Sequence, residues 1–217
     1  MERKFIFGII LVCLVLLGVA VFFLSPNSSQ NPTPTTFKEP LKILADDWLK
    51  GNKEAKVSLV EYSDFQCPAC GAYYPLLKQL NQEFGDKILF VYRHFPLPNH
   101  KNAEPAAQAA EAAGRQGKFW EMHDLLFENQ TDWSNQSAAK ETFIEYAQSL
   151  NLDIEKFKSD LDSPQVKDKV KRDYQSGLQF KVNATPTFFL NNQKLPNPRS
   201  FEEFKSIIQN EIEKTNK

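Results

Sequence analysis

The chain has 217 residues, of which 26 are lysine or arginine and 27 are aspartate or glutamate, and its formal net charge at pH 7 is −1. Such a balanced charge offers no basic footprint for nucleic acid, so we expect no nucleic-acid partner. The three cysteines are too few for a framework of structural disulfides.

The N-terminal segment predicts a membrane anchor. Residues 5–24 carry no charged side chain, and a run of this length can cross a bilayer as a helix. Arg3 and Lys4 precede the run, which predicts a single-pass protein of the cell membrane with its N-terminus in the cytoplasm and the rest outside. The alternative is a cleaved signal peptide, whose apolar core is usually about 7–15 residues long. We expect residues 1–25 to be an uncleaved signal-anchor.

The chain after the anchor divides into a linker and one domain. Residues 26–40 are rich in Pro, Ser, Asn and Thr, a composition that buries too little apolar surface to fold, so we expect a disordered tether. Residues 41–217 have the length of one domain. Its first predicted element is an amphipathic helix at about 41–50, because apolar residues recur there at helical spacing.

The next segments predict a strand, a helix and a second strand. The strands are expected at about 56–64 and 87–95, and the helix between them runs from Cys67 to about Glu83. Two strands joined by a helix form the parallel crossover unit of α/β proteins.

The middle of the chain changes character and becomes helical. Four or five consecutive helices are expected, within about 103–114, 119–127, 138–150, 154–161 and 165–179. A strand at 186–190, a short edge strand near 194–195 and a last helix from Ser200 then resume the α/β pattern, with Ser200 and Glu203 as a capping box. The pattern therefore predicts an α/β domain with an all-helical insertion at about 99–180.

Cys67 and Cys70 form a Cys-x-x-Cys pair at the start of the first long helix. The positive end of a helix stabilises a thiolate there, so Cys67 is predicted to attack and to form the mixed disulfide, and Cys70 to be the resolving thiol. Pro68 suits the first helical turn. Half of a zinc site is the alternative, but zinc takes four ligands and Cys13 lies in the apolar run, so we expect no metal and no cofactor. We predict a redox-active dithiol.

Glu61 lies six residues before Cys67, on the apolar face of its predicted strand. A buried carboxylate is costly without a partner or a task. Burial would raise its pKa, so that it could accept and return the proton of Cys70. An ion pair with a lysine or arginine is the alternative.

Thr185 and Pro186 enter the late strand. A cis peptide bond there would leave backbone groups free to pair with an extended substrate. We therefore place Pro186 in the catalytic site, and Thr185, Pro68 and Ala69 at the substrate. His123 is interpreted as a core or rim histidine.

Five segments carry a family resemblance: VSLVEYSDFQCPACGAY at 57–73, YRHFPL at 92–97, the alanine-rich helix, FWEMHDLLF at 119–127 and TPTFFL at 185–190. Together they resemble the DsbA-like thioredoxin-fold proteins. The resemblance implies a thioredoxin-like fold with a helical insertion, a cis proline at Pro186 and a buried acid at Glu61. It also implies oxidation of thiols in exported proteins and reoxidation by a quinone-linked membrane partner. Ala69 stands where the strongest oxidants of the family carry histidine, which implies a milder oxidant.

Three functions are compatible with these residues. The first is a dithiol oxidase that forms disulfides in exported proteins, which we favour. The second is a disulfide reductase or isomerase of the same fold, and Thr185 resembles the isomerase-like and Gram-positive-type members. The third is a chaperone-like binding protein with a fixed disulfide. Isomerases of this class dimerise through an added domain, which residues 26–40 cannot supply, so we expect a monomer.

Overall fold

The computed structural model describes residues 40–216. The predicted anchor at 5–24, the tether up to residue 39 and Cys13 lie outside the described residues. Within residues 40–216, every helix is too short or too polar to cross a bilayer.

One mixed β-sheet forms the centre of the described domain. Its strands are β1 (Trp48–Gly51), β2 (Val57–Ser63), β3 (Ile88–His94), β4 (Thr187–Leu190) and β5 (Gln193–Lys194), in the spatial order β1-β3-β2-β4-β5. β2 and β3 are parallel, and the other neighbouring pairs are antiparallel. Both central strands are buried along almost their whole length, because apolar side chains pack on each face of the sheet. The predicted crossover unit therefore forms the middle of the sheet.

Eight helices accompany this sheet among residues 40–216. They are α1 (Pro68–Phe84), α2 (Ala103–Gly114), α3 (Phe119–Glu128), α4 (Gln130–Trp133), α5 (Lys140–Ser149), α6 (Ile154–Leu161), α7 (Pro164–Gln179) and α8 (Phe201–Thr215). Helices α2 to α7 lie between β3 and β4 in the chain, so the α/β fold with a helical insertion is confirmed. The insertion packs tightly around α2, where Ala106, Ala109 and Ala110 are fully buried.

The prediction of a helix at about 41–50 is wrong. Trp48–Gly51 is instead the edge strand β1, which pairs antiparallel with β3, and a turn precedes it. The side chain of Asp47 closes this turn, since its Oδ2 atom accepts a hydrogen bond of 2.7 Å from the backbone of Leu44. Leu44 is 44% exposed, so the helical spacing of apolar residues does not mark a buried face here. Without β1 the backbone edge of β3 would be unpaired, and pairing with this edge decides the conformation of Trp48–Gly51.

Candidate active site

The dithiol lies where β2 gives way to α1. Cys67 is the residue that precedes the helix and has extended backbone angles, and Pro68 occupies the first helical turn. Both thiols are free and buried, with 6% exposure for Cys67 and 1% for Cys70. The side chains of Pro68 and Ala69 are exposed beside them. The site therefore presents Cys67 at the rim and keeps Cys70 inside.

The two thiols differ strongly in acidity. A hydrogen bond from Cys70 lowers the pKa of Cys67 from 9.0 to about 5, with help from the backbone N–H groups of Ala69 and Cys70 and against the effect of partial burial. Burial raises the pKa of Cys70, and the neighbouring Cys67 and Glu61 raise it further. At neutral pH Cys67 is therefore a thiolate and Cys70 a thiol, the division of roles expected at a helix start.

Glu61 lies in the core behind the dithiol. It is 1% exposed, and burial raises its pKa to about 8, although the hydroxyl of Ser63 donates a 2.8 Å hydrogen bond to Oε1 that opposes the effect. The other oxygen, Oε2, has no hydrogen-bond partner among residues 40–216. The alternative of an ion pair with a lysine or arginine is therefore not what this part of the chain shows. A carboxylic acid with this pKa is mostly protonated at pH 7 and can give its proton to Cys70.

The loop before β4 contacts the dithiol at Cys67. The Thr185–Pro186 peptide bond is cis. In its thiol form Cys67 donates to the carbonyl oxygen of Thr185 over 3.4 Å. The side chain of Asn197 donates a 2.9 Å hydrogen bond to the carbonyl oxygen of Pro186. The loop is thus held against Cys67 although the two lie 118 residues apart in the sequence.

Two glutamines, which the sequence analysis missed, join the active-site loop to the helical insertion. Gln130 on α4 donates to the carbonyl oxygens of Phe65 at 2.6 Å and of Cys67 at 2.9 Å. Gln66 donates to Ser134 and accepts from the backbone of Asn102, both at 2.7 Å. We call Gln66, Asn102 and Gln130 the loop clamp. No local pattern marks a single glutamine in a helical insertion, so the sequence offered no signal for it.

Asp64, which the sequence analysis also missed, holds the loop before Cys67 by hydrogen bonds. Its Oδ1 atom accepts from the backbone of Gln66 at 2.7 Å, and its Oδ2 atom contacts the backbone of Leu97 at 2.9 Å and the ring of His100 at 2.7 Å. Its own N–H lies 3.5 Å from the Cys70 sulfur and donates to it. An aspartate that bonds the backbone two residues further along the chain is typical of turns. The contact between Asp64 and the backbone of Gln66 could therefore have been predicted from the sequence.

A buried polar cluster lies between the sheet and the insertion. His94, Glu111 and Asp173 each offer one ligand atom within 4.8 Å of the others. Glu111 binds His94 Nε2 at 2.8 Å and Asp173 binds Lys169 at 2.6 Å, whereas His94 Nδ1 has no partner among the described residues. Hydrogen bonds and ion pairs therefore account for the two buried carboxylates of the cluster.

Comparison with known proteins places the chain in a family. Residues 45–210 match the family model described as "Thioredoxin". The chain belongs to the thioredoxin family. Among solved structures, BdbD from Bacillus subtilis in its oxidised form is 24% identical with a TM-score of 0.72, and covers 83% of this chain and 100% of its own. Alpha-DsbA1 from Wolbachia pipientis is 21% identical with a TM-score of 0.73, and covers 80% of this chain and 94% of its own. The expected DsbA-like, thioredoxin-like fold is therefore confirmed.

Curated relatives share this thioredoxin-family domain and differ in total length. The Na(+)/H(+) antiporter NhaA of Herminiimonas arsenicoxydans is 40% identical over 149 residues, which are 69% of this chain and 23% of that protein. NhaA 1 of Mycolicibacterium gilvum (strain PYR-GCK) is 38% identical over 188 residues, which are 84% of this chain and 29% of that protein. This thioredoxin-family chain thus spans about a quarter of the length of the relatives it matches.

Proposed function

We propose that this chain is a thiol–disulfide oxidoreductase that forms disulfides in exported proteins. The observation that carries the proposal is the opposite shift of the two thiol pKa values, with Cys67 lowered to about 5 and Cys70 raised. The thiolate exists only in the reduced protein, so its stabilisation favours the reduced form. A dithiol that favours its reduced form oxidises other dithiols.

The acidity of Cys67 sets the size of this effect. At pH 7 a thiol with a pKa of about 5 is ionised about 99 times in 100, whereas one with the ordinary value of 9.0 is almost fully protonated. A thiol pKa two units below the ambient pH raises the reduction potential of a two-electron couple by about 60 mV. That is a moderate gain, in keeping with the milder oxidant that Ala69 implies.

The oxidation proceeds in two exchanges. A substrate thiolate attacks the Cys67 sulfur of the oxidised enzyme, the Cys67–Cys70 bond breaks, and its electron pair passes to Cys70. Protonated Glu61 gives its proton to the Cys70 sulfur. A second substrate thiolate then attacks the substrate sulfur of the mixed disulfide, and Cys67 leaves as a stable thiolate. The substrate becomes a disulfide and the enzyme a dithiol.

The surroundings of Cys67 support a peptide substrate. Thr185 lies beside Cys67 in the cis loop, where an extended peptide could pair with its backbone. Exposed Pro68 and Ala69 offer a small, uncharged rim. This arrangement suits varied sequences around a substrate cysteine.

The location and the reoxidising partner belong to the same proposal. The apolar run at 5–24 and its basic flank support an anchor in the cell membrane with the dithiol outside. An oxidase needs an electron acceptor after each turnover, for which we propose a quinone-linked membrane partner. We assign no ion transport, because the chain spans about a quarter of its antiporter relatives.

The reduction potential tests the proposal. The full chain in detergent is equilibrated in glutathione buffers and alkylated, and mass spectrometry gives the reduced fraction of Cys67 and Cys70. A potential clearly above about −270 mV, toward about −120 mV, is expected for an oxidase. A value at or below about −270 mV would reject the oxidase and favour a reductase or a fixed disulfide.

A trapping experiment tests the chemistry separately from its direction. Cys70→Ala mixed with oxidised glutathione should accumulate a mixed disulfide at Cys67, because one glutathione leaves as a thiolate and no Cys70 thiol remains to resolve the new bond. Cys67→Ser should form none. If Cys67→Ser retained activity, the binding-protein alternative would be favoured instead.

A further inference from the structure

A small cavity lies behind the dithiol. Its volume is about 20 Å³, and both Cys70 and Glu61 form part of its wall. A cavity of more than about 10–15 Å³ can hold a water molecule if polar groups surround it. This one therefore has room for about one water next to the two groups that exchange a proton.

Two buried oxygen atoms in the wall lack partners. Glu61 Oε2 and Asn81 Oδ1 have no hydrogen bond among the described residues, and both residues line the cavity. A buried polar atom without a partner destabilises the folded protein. A water in the cavity would offer a hydrogen-bond partner to a buried oxygen of this kind, which favours its binding there.

A histidine and an aspartate on α3, His123 and Asp124, also line the cavity. His123 is 6% exposed, and its Nδ1 atom lies 2.9 Å from Asp124 Oδ1. The side chain of Asp124 is 31% exposed. The pair therefore extends from the cavity to the protein surface.

The charges around the pair favour a neutral imidazole beside an ionised carboxylate. Burial lowers the pKa of His123 against the effect of Asp124, and the charges of Lys50 and His94 lower it further. Burial opposes ionisation of Asp124, but His123, Lys50 and Lys78 more than offset it, and the pKa of Asp124 falls. Tyr74, Lys50 and Lys78 are the other titratable side chains that line the cavity. A neutral imidazole can take a proton on one nitrogen and release one from the other.

We propose that His123, hydrogen-bonded to Asp124, carries protons between solvent and Glu61 through one water molecule bound in this cavity. The inference rests on the proposed thiol–disulfide exchange at Cys67 and Cys70, and holds for either net direction. His123 touches neither sulfur and acts through Glu61.

The proton balance follows from the exchange steps. When the disulfide opens, Glu61 protonates Cys70 and becomes a carboxylate. It regains a proton from the water, the water takes one from His123, and His123 takes one from solvent beside Asp124. One proton enters for each Cys70 thiol formed. When the disulfide closes, one proton leaves by the same route.

The test uses variants at both relay positions and a matched control. His123→Gln removes the imidazole ring, whose two nitrogens are needed to take up and release a proton. Asp124→Asn removes the carboxylate at the solvent end of the relay. Glu121→Gln is the control on the same helix, since Glu121 pairs with Lys118 and neither residue lines the cavity. Reduced full chain in detergent is mixed with oxidised glutathione and quenched with an alkylating reagent. Mass spectrometry gives the rate at which the mixed disulfide at Cys67 closes.

In both relay variants the mixed disulfide at Cys67 should close about tenfold more slowly than in the parent. This factor is smaller than the full contribution that proton transfer by a side chain makes to a rate. Their reduction potentials should equal that of the parent, because a relay changes rates and leaves the end states alone. Added imidazole buffer should restore the rate, and Glu121→Gln should close at the parental rate.

Three results would overturn the relay. They are an unchanged rate in both folded variants, a slow rate that imidazole does not restore, and a potential that shifts in step with the rate. If His123→Gln does not fold, the partly exposed Asp124→Asn decides alone. A reduction potential no higher than that of the thioredoxin reference would reject the oxidase while leaving the relay intact.

Discussion

Replacing Glu61 with glutamine should stabilise the protein, and the gain should grow with pH. The pKa of Glu61 rises from 4.5 to about 8 because the carboxyl group is buried. Between these values the unfolded chain has lost the Glu61 proton and the folded chain retains it. Raising the pH through this window therefore removes stability, by about 3 kcal/mol at pH 7 and more at pH 8. Glutamine does not titrate and escapes this loss.

Urea unfolding of the reduced protein at about pH 5 and about pH 8 measures the effect. The advantage of Glu61→Gln over the parent should increase by about 3 kcal/mol between the two conditions. Exposed Glu213→Gln is the control and should change stability by less than about 0.5 kcal/mol at either pH. An advantage for Glu61→Gln that is the same at both pH values would refute the reasoning, because Glu61 would then not titrate in the window.

Three further predictions concern the dithiol and its loop. The alkylation rate of the reduced protein should follow the ionisation of Cys67, with a midpoint at about pH 5, while Cys70 stays unmodified; a midpoint near the ordinary 9.0 would contradict the assigned roles. Ala69→His should raise the reduction potential in glutathione buffers, because a positive charge beside Cys67 stabilises its thiolate, and an unchanged potential would count against this cause. Gln130→Ala should lower the free energy of unfolding by about 1–3 kcal/mol, since it leaves the carbonyl oxygens of Phe65 and Cys67 without their partner; unfolding at the parental urea concentration would disprove the importance of these bonds.

Local patterns in the sequence predicted the elements that depend on local forces. The crossover unit followed from alternation and from the helix start at Cys67, and the alanine-rich helix was expected at the residues where it forms. The last helix shows both the strength and the limit of such patterns. Ser200 accepts from the backbone of Glu203 at 3.2 Å as predicted, but the Glu203 side chain bonds the backbone of Arg199 instead of that of Ser200.

Contacts between distant residues could not be predicted in the same way. β1 forms because β3 presents an open edge, and nothing within 41–50 records that edge. Gln130 reaches Phe65 and Cys67 across 65 and 63 residues. The cavity behind Cys70 likewise appears only when α3 packs against α1 and β2. His123 therefore looked like a core histidine in the sequence, and only the cavity that it shares with Glu61 suggests the proposed role in proton transfer.

The separation between Cys67 and its partners has a consequence for the time at which the enzyme matures. Synthesis runs from the N-terminus to the C-terminus, so the dithiol emerges well before the loop clamp at Asn102 and Gln130. It precedes Thr185, against which Cys67 packs, by 118 residues. The hydrogen bonds to Cys67 from Cys70 and from the backbone of Ala69 and Cys70 can form as soon as α1 has folded. The contact with Thr185 must wait until the loop before β4 has been made, so the acidity of Cys67 is completed in two stages.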